Sequence, residues 1–305
     1  MRMMFVDKVQ PPLLFLTNFF TVLCNGFLLV YYSKLKKNDS NTDRKSPKIH
    51  QLQIILISVD LAYGAASILS SILLHFLPFS TKTTFVCIFI PWPTLYLTVA
   101  SLFVRLLFNL ERIVACGKPV FYKNFRVKRG SQPIYCTVCL GPPLFFSLWA
   151  FYGADYQHLP ATCSPVVARA PALRPMLSYY ICATGAAVVS SVALLMFILK
   201  KNRKKISTTD VDRDSGNVDR RITPKNRERV ATKLAVSLTI VGVAMDVVPN
   251  VALTVLSKLS LVDNDAFGKM VQLLFSLSLC GNLLVFVRCD RSMRKKLKDH
   301  LVSFC

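Results

Sequence analysis

The sequence predicts an all-α membrane protein, a seven-transmembrane helix bundle ending in an amphipathic C-terminal helix. Three observations carry this. Of the 305 residues 53% are hydrophobic, and they gather in long blocks that the core of a water-soluble domain does not need. Seven blocks, at about 11–32, 51–77, 87–112, 132–153, 176–200, 229–257 and 266–288, reach the roughly 20 residues that cross a bilayer. Charge then orders them. When the segments between blocks are assigned to alternate sides, 29 of the 38 Lys and Arg residues fall on one side. By the positive-inside rule that side is cytoplasmic and the N-terminus is extracellular. An odd number of spans separates the termini, as this requires. The expectation is one multi-pass domain over residues 1–305 in the plasma membrane, with residues 289–305 as a cytoplasmic tail.

The net charge of +22 invites a nucleic-acid reading. Topology and attraction to anionic lipid account for it instead, so membrane lipid is an expected partner and nucleic acid is not. The ten cysteines lie mostly in apolar blocks. Cys136 and Cys139 form a C-x-x-C with no second pair, so neither metal nor other cofactor is expected. Cys87 and Cys163 fall at the oxidising face, where a bridge can persist. His50, His75, His158 and His300 are scattered without nucleophile–base spacing, which argues against an enzyme. The first block is too long for a cleavable leader and reads as a signal anchor.

The first span opens on Pro11 and Pro12, which a helix start tolerates. Its Asn25 needs an interhelical partner and faces the bundle. The second span carries Asp60 near the membrane mid-plane, where an ionised group costs about 2.5–3.5 kcal/mol. It is either a hydrogen-bonded structural acid or an ion or water site coupled to helix rearrangement. The third span, Cys87 to Arg112, would be roughly 37 Å long as a helix. It places a thiol at one face of the membrane and the adjacent Glu111 and Arg112 at the other. Pro91 and Pro93 bend its outer end, and Trp92 and Tyr96 suit an interface belt or a ligand cavity. Arg105 lies two turns before Arg112 on the same face, with Asp60 and Asp246 as natural partners. The fourth span is followed by a proline-rich outer loop. Tyr179 and Tyr180 open the fifth. Residues 200–230 read as a flexible cytosolic loop in which Ser207, Thr208 and Thr209 are phosphorylation candidates. The sixth span has Pro249 mid-helix, where a kink amplifies motion. The tail carries bases and apolar residues at helical spacing, with Cys289 and Cys305 as palmitoylation candidates.

These residues together resemble the rhodopsin-like G-protein-coupled receptors, across nearly the whole chain. Cys87 and Arg112 reproduce that family's spacing between outer cysteine and inner arginine, and Glu111-Arg112-Ile113 stands where it has an acid-Arg-aromatic triplet. Leu56-x-x-x-Asp60 matches its second-helix signature, with Ser101 where a serine lies near that acid. Asn282-Leu-Leu-Val-Phe286 resembles its seventh-helix motif with two substitutions, and Pro249 matches its sixth-helix proline. The chain departs from the pattern at Asn25-Gly26, at Trp149, in a fifth helix without its central proline, and at Asp246-Val247 above the kink. Arg229, with Glu228 beside it, replaces the acid that would hold the inner arginine. This worn pattern, with the inner stretch ERIVACGKPVFY, is similar to nematode serpentine chemoreceptors of the gamma-type superfamily.

The resemblance implies a Cys87–Cys163 disulfide over an outward-facing cavity. It implies ligand contacts from Trp92, Thr94, Thr98, Tyr179, Tyr180 and Gln272, an intramembrane polar network of Asn25, Asp60, Ser101, Arg105, Asp246 and Asn282, and a hinge at Pro249. Glu111 and Arg112 would then meet a heterotrimeric G protein. Thr94 stands where amine receptors keep an acid, so a small, weakly polar odorant or a peptide end fits better as the extracellular ligand. The rival reading is a transporter or channel using Asp60, Arg105 and Asp246 as a charge pathway. Neither an internal repeat nor paired broken helices supports it.

Overall fold

Backbone amides in lipid have no water to bond, so each apolar block must close its own hydrogen bonds as a helix. The computed structural model describes residues 2–42, 51–76, 83–118, 121–122, 131–148, 151, 173–207, 224–258, 264–289 and 293–294, and among these there is no strand. The helices are α1 (Arg2–Thr42), α2 (Gln51–Phe76), α3 (Thr84–Phe89), α4 (Trp92–Gly117), α5 (Ser131–Leu148), α6 (Leu173–Ser207), α7 (Pro224–Gly242), α8 (Val248–Lys258) and α9 (Asn264–Cys289), with a π-helical turn Val243–Val247 joining α7 to α8. Six stretches are long and apolar enough to cross a membrane: Pro11–Lys34, Gln51–Phe76, Thr84–Gly117, Cys182–Lys200, Thr232–Ala252 and Met270–Cys289. The fourth position belongs to α5, whose apolar part is the shorter Thr137–Leu148. The chain is a seven-helix membrane bundle.

Cys163 and its loop, Thr208, Thr209 and Cys305 lie outside the described residues, as does the tail apart from Cys289, Met293 and Arg294. So do the side chains of Ser207, Glu228 and Arg229. Met293 is buried in the core near Phe286. Arg294 donates from Nη2 to the Arg288 carbonyl at 2.8 Å, supplying a donor to an orphan carbonyl at the end of α9.

Prolines shape two elements. The third span breaks where its prolines predict: α3 ends at Phe89 and α4 resumes at Trp92 with Pro91 as N-cap. Ser70 of α2 donates to the Ile90 carbonyl at 2.9 Å across this break. In the first span the outcome differs from expectation. Rather than starting at Pro11, α1 runs back to Arg2 with Pro11 and Pro12 inside it; the proline φ is itself helical, although each ring removes an amide donor and crowds the carbonyl four residues before it.

At the centre stands α4, touching α2, α5, α6 and α7, while α1 lies between α2 and α9. Small residues set the α1–α2 approach. A Cβ on Gly64 would stand 3.0 Å from Val22 Cγ2 and 3.2 Å from the Asn18 carbonyl. In the half of the bundle that bears Arg112, Leu28, Leu56, Val104, Phe108, Leu238 and Phe286 form the main apolar core. Large apolar side chains such as Phe15, Phe19, Phe145 and Leu284 are exposed, as lipid-facing residues of a membrane bundle are.

Candidate functional site

Asp60 has no exposed surface. Its two oxygens are each taken: Ser101 Oγ donates to Oδ1 at 2.6 Å and Asn282 Nδ2 to Oδ2 at 2.6 Å. One carboxylate thus joins α2, α4 and α9. Asn25 is also fully buried, but directs its amide to backbone, donating to Thr21 O at 3.0 Å and Leu279 O at 3.3 Å. It fastens α1 to α9 beside the cluster.

Arg105 turns toward the sixth span. Its Nη1 lies 3.6 Å from Asp246 Oδ2 and donates to the Leu238 carbonyl at 3.4 Å. Of the two acids named as natural partners, Asp246 makes the ion pair. Ser278 of α9 donates to the same Oδ2 at 3.5 Å. Farther along α4, Asn109 Nδ2 donates to Thr239 Oγ1 at 2.9 Å, and Cys116 Sγ lies 3.9 Å from Thr232 Oγ1. Residues 105, 109 and 116 recur at helical spacing, so one face of α4 presents a polar seam to α7.

Arg112 is 1% exposed. Its Nη2 lies 3.1 Å from Glu111 Oε1 and donates to the Tyr122 hydroxyl at 2.9 Å. Tyr122 in turn donates to Glu111 Oε1 at 2.5 Å. The guanidinium also lies 5.6 Å from the Tyr122 ring centroid and 5.9 Å from that of Phe108, within cation–π range. A tyrosine ten residues beyond the arginine thus completes a triad at this end of the bundle.

At the other end, Cys87 is buried and disulfide-bonded; its expected partner Cys163 lies outside the described residues. The six residues expected around a ligand are dispersed. Trp92 donates Nε1 to the Ser147 carbonyl of α5 at 3.1 Å and stacks on Tyr96. Tyr180 stacks on Phe146 of α5 with centroids 4.0 Å apart. On the other side of α4, Leu97 packs against Tyr63, Phe275 and Leu279, and the Tyr63 hydroxyl has Ser276 and Gln272 within hydrogen-bonding reach. Thr94 and Thr98 donate within their own helix, to Pro91 O and Thr94 O at 2.8 Å each. Tyr179 is exposed.

A family model described as serpentine type 7TM GPCR chemoreceptor Srsx matches residues 43–301. The chain belongs to the Srsx family of serpentine chemoreceptors. No curated protein matches it. The match begins beyond α1, so the buried Asn18 and Asn25 of α1 are features of this chain outside the matched segment.

In this Srsx receptor several participants, among them Asn109 and Thr239 of the polar seam, had no place among the residues expected from sequence. Tyr122 lies in a stretch whose aromatics and bases read as a docking surface. Phe146 and Ser278 are unremarkable members of apolar runs. Tyr63 follows Asp60 by three residues and so shares its face, which is a signal that was there to find. Among the described residues no group of three His, Cys, Asp or Glu side chains is arranged to hold a metal ion.

Proposed function

We propose that this Srsx protein is a chemosensory G-protein-coupled receptor. Its N-terminus is extracellular, it binds a small odorant or a peptide end at the Cys87 end, and it activates a heterotrimeric G protein at the Arg112 end. One observation carries the reading: a buried guanidinium at the foot of the central helix is held by Glu111 of the same helix and Tyr122 just beyond it. Such a triad can release Arg112 toward a partner without unfolding any span. Ligand binding drives that release only through its different affinity for the two states. On this reading Thr94, Thr98 and Gln272 face the ligand on the Tyr63 side of α4. Trp92 and Tyr180 brace α4 against α5 and α6, and Tyr179 stands at the rim.

The test is a panel of small odorants and short peptides applied to cells expressing the receptor, with calcium and cyclic nucleotide as readouts. A hit is then repeated on Arg112→Ala at matched surface density. The expected result is loss of the response. A response of undiminished size removes Arg112 from the mechanism, and uptake or current without any G protein supports a transporter instead.

A further inference from the structure

The Arg105–Asp246 pair is not required by anything said so far about ligand or G protein, yet both side chains lie in the bundle's interior, 2% and 1% exposed. Four features mark it as more than a brace. It sits on the one π-helical turn among the described residues, Val243–Val247, where the Val248 N–H reaches back to Val243 O. Such turns carry an extra residue and a shifted register. The chain makes room for the guanidinium with a glycine, since a Cβ on Gly242 would collide with Arg105 Nη1 and stand 3.5 Å from Asp246 Oδ2. The same turn also packs against α6, where Val247 occupies the space that a Cβ on Gly185 would need. Finally, the pair is half made. At 3.6 Å it exceeds a charge-assisted hydrogen bond, and Arg105 Nε, Arg105 Nη2 and Asp246 Oδ1 are buried without partners among the described residues.

From these we infer that Arg105, Asp246 and Gly242 form a conformational latch that holds the α7 end of the sixth span against α4 in the resting state. Separating opposite charges in a low-dielectric interior is opposed strongly, so the contact resists outward movement of α7. A fully satisfied network rigidifies the helices it joins, and this one, with three positions unmatched among the described residues, holds them less firmly. The π turn supplies the motion: annealing it to α-helical register would rotate α7 against α8 by about 100°, one residue's worth of helix. That rotation carries Asp246 off Arg105. Ser278, which donates to Asp246 from α9, links the latch to a third span. The latch follows from the packing alone; its consequence for signalling rests on the receptor reading.

The experiment reads distance rather than signal. Spin labels on noncanonical residues replace Lys118 and Lys233, both exposed, at the end of the bundle where Cys116 meets Thr232. Inter-label distance distributions are then measured in nanodiscs without ligand. The latch predicts one short-distance population for the otherwise unaltered receptor. It predicts a second, longer population for Asp246→Asn and for Gly242→Ala, which fills the guanidinium's seat without removing a charge. Arg105→Lys retains the short population and Arg105→Gln does not. Should a single charge removal prevent folding, Arg105→Leu/Asp246→Leu, with neither charge left unpaired, is measured in its place. Identical distributions in the unaltered receptor and every folded variant overturn the latch. A longer population with no gain in basal G-protein activation upholds the latch and counts against the receptor reading.

Discussion

A carboxylate with no exposed surface at the centre of seven helices persists only if its lone pairs are occupied. Asp60 meets that condition through Ser101 and Asn282, and the cost of disturbing it depends on what the neighbours can do next. In Asp60→Ala both donors lose their acceptor, a penalty of about 1–3 kcal/mol each. In Asp60→Asn the new amide can still accept from Ser101, and Asn282, whose Oδ1 has no partner among the described residues, can flip to accept from it. Thermal midpoints in detergent should therefore rank native above Asp60→Asn above Asp60→Ala. Equal midpoints for the two variants would mean that the amide flip does not occur. Asp60, Ser101 and Asn282 were grouped in advance by the family resemblance rather than by spacing, and Ser101 and Asn282 are the two residues that donate to Asp60. The Arg112 triad was half readable. Glu111 is adjacent in the chain, but nothing in the sequence tells which aromatic of a basic loop will fold back under the arginine.

Helix contacts and helix irregularities were legible to different degrees, for physical reasons. Proline announces itself, so the α3–α4 break at Ile90 and Pro91 follows from residue type. The π turn does not. A one-residue register change leaves the apolar pattern of Val243–Val247 looking like continuous helix, and the Val248 N–H bond back to Val243 O is what exposes it. Pro249 offers a way to probe this turn. Proline lacks the N–H that would favour ordinary α-helical bonding there, so Pro249→Ala should let the π turn anneal. The receptor should reach the surface at native levels while its basal G-protein activation rises several-fold; unchanged basal activation would separate the turn from activation. At the α1–α2 seam, Gly64→Leu should cost about 1–3 kcal/mol through overpacking against Val22 and the Asn18 carbonyl. The check is surface abundance together with the thermal midpoint, and native values for both would show that the seam yields freely.

Across the whole molecule, seven apolar blocks and an asymmetric distribution of basic residues were enough to give the fold class. Six spans meet the criteria of length and hydropathy among the described residues, and the fourth is shorter because Thr137–Leu148 is all the apolar helix that is described there. The ligand end was least legible. Thr94 and Thr98 donate to backbone of their own helix and Trp92 donates to Ser147 of α5, contacts the sequence does not reveal because spacing fixes a helical face but not which neighbour that face meets. What survives at this scale is a chain of buried polar contacts along one helix, from Ser101 at Asp60, through Arg105 at the sixth span, to Arg112 at the end. The central claim is that this column ends in a G-protein switch. Its most direct test is guanine-nucleotide exchange on a purified heterotrimeric G protein added to nanodiscs carrying the native receptor or Arg112→Ala, with an activating odorant present. The account predicts exchange at least tenfold faster with the native receptor and no acceleration with Arg112→Ala. Equal exchange from both, or none above empty discs from either, would contradict it.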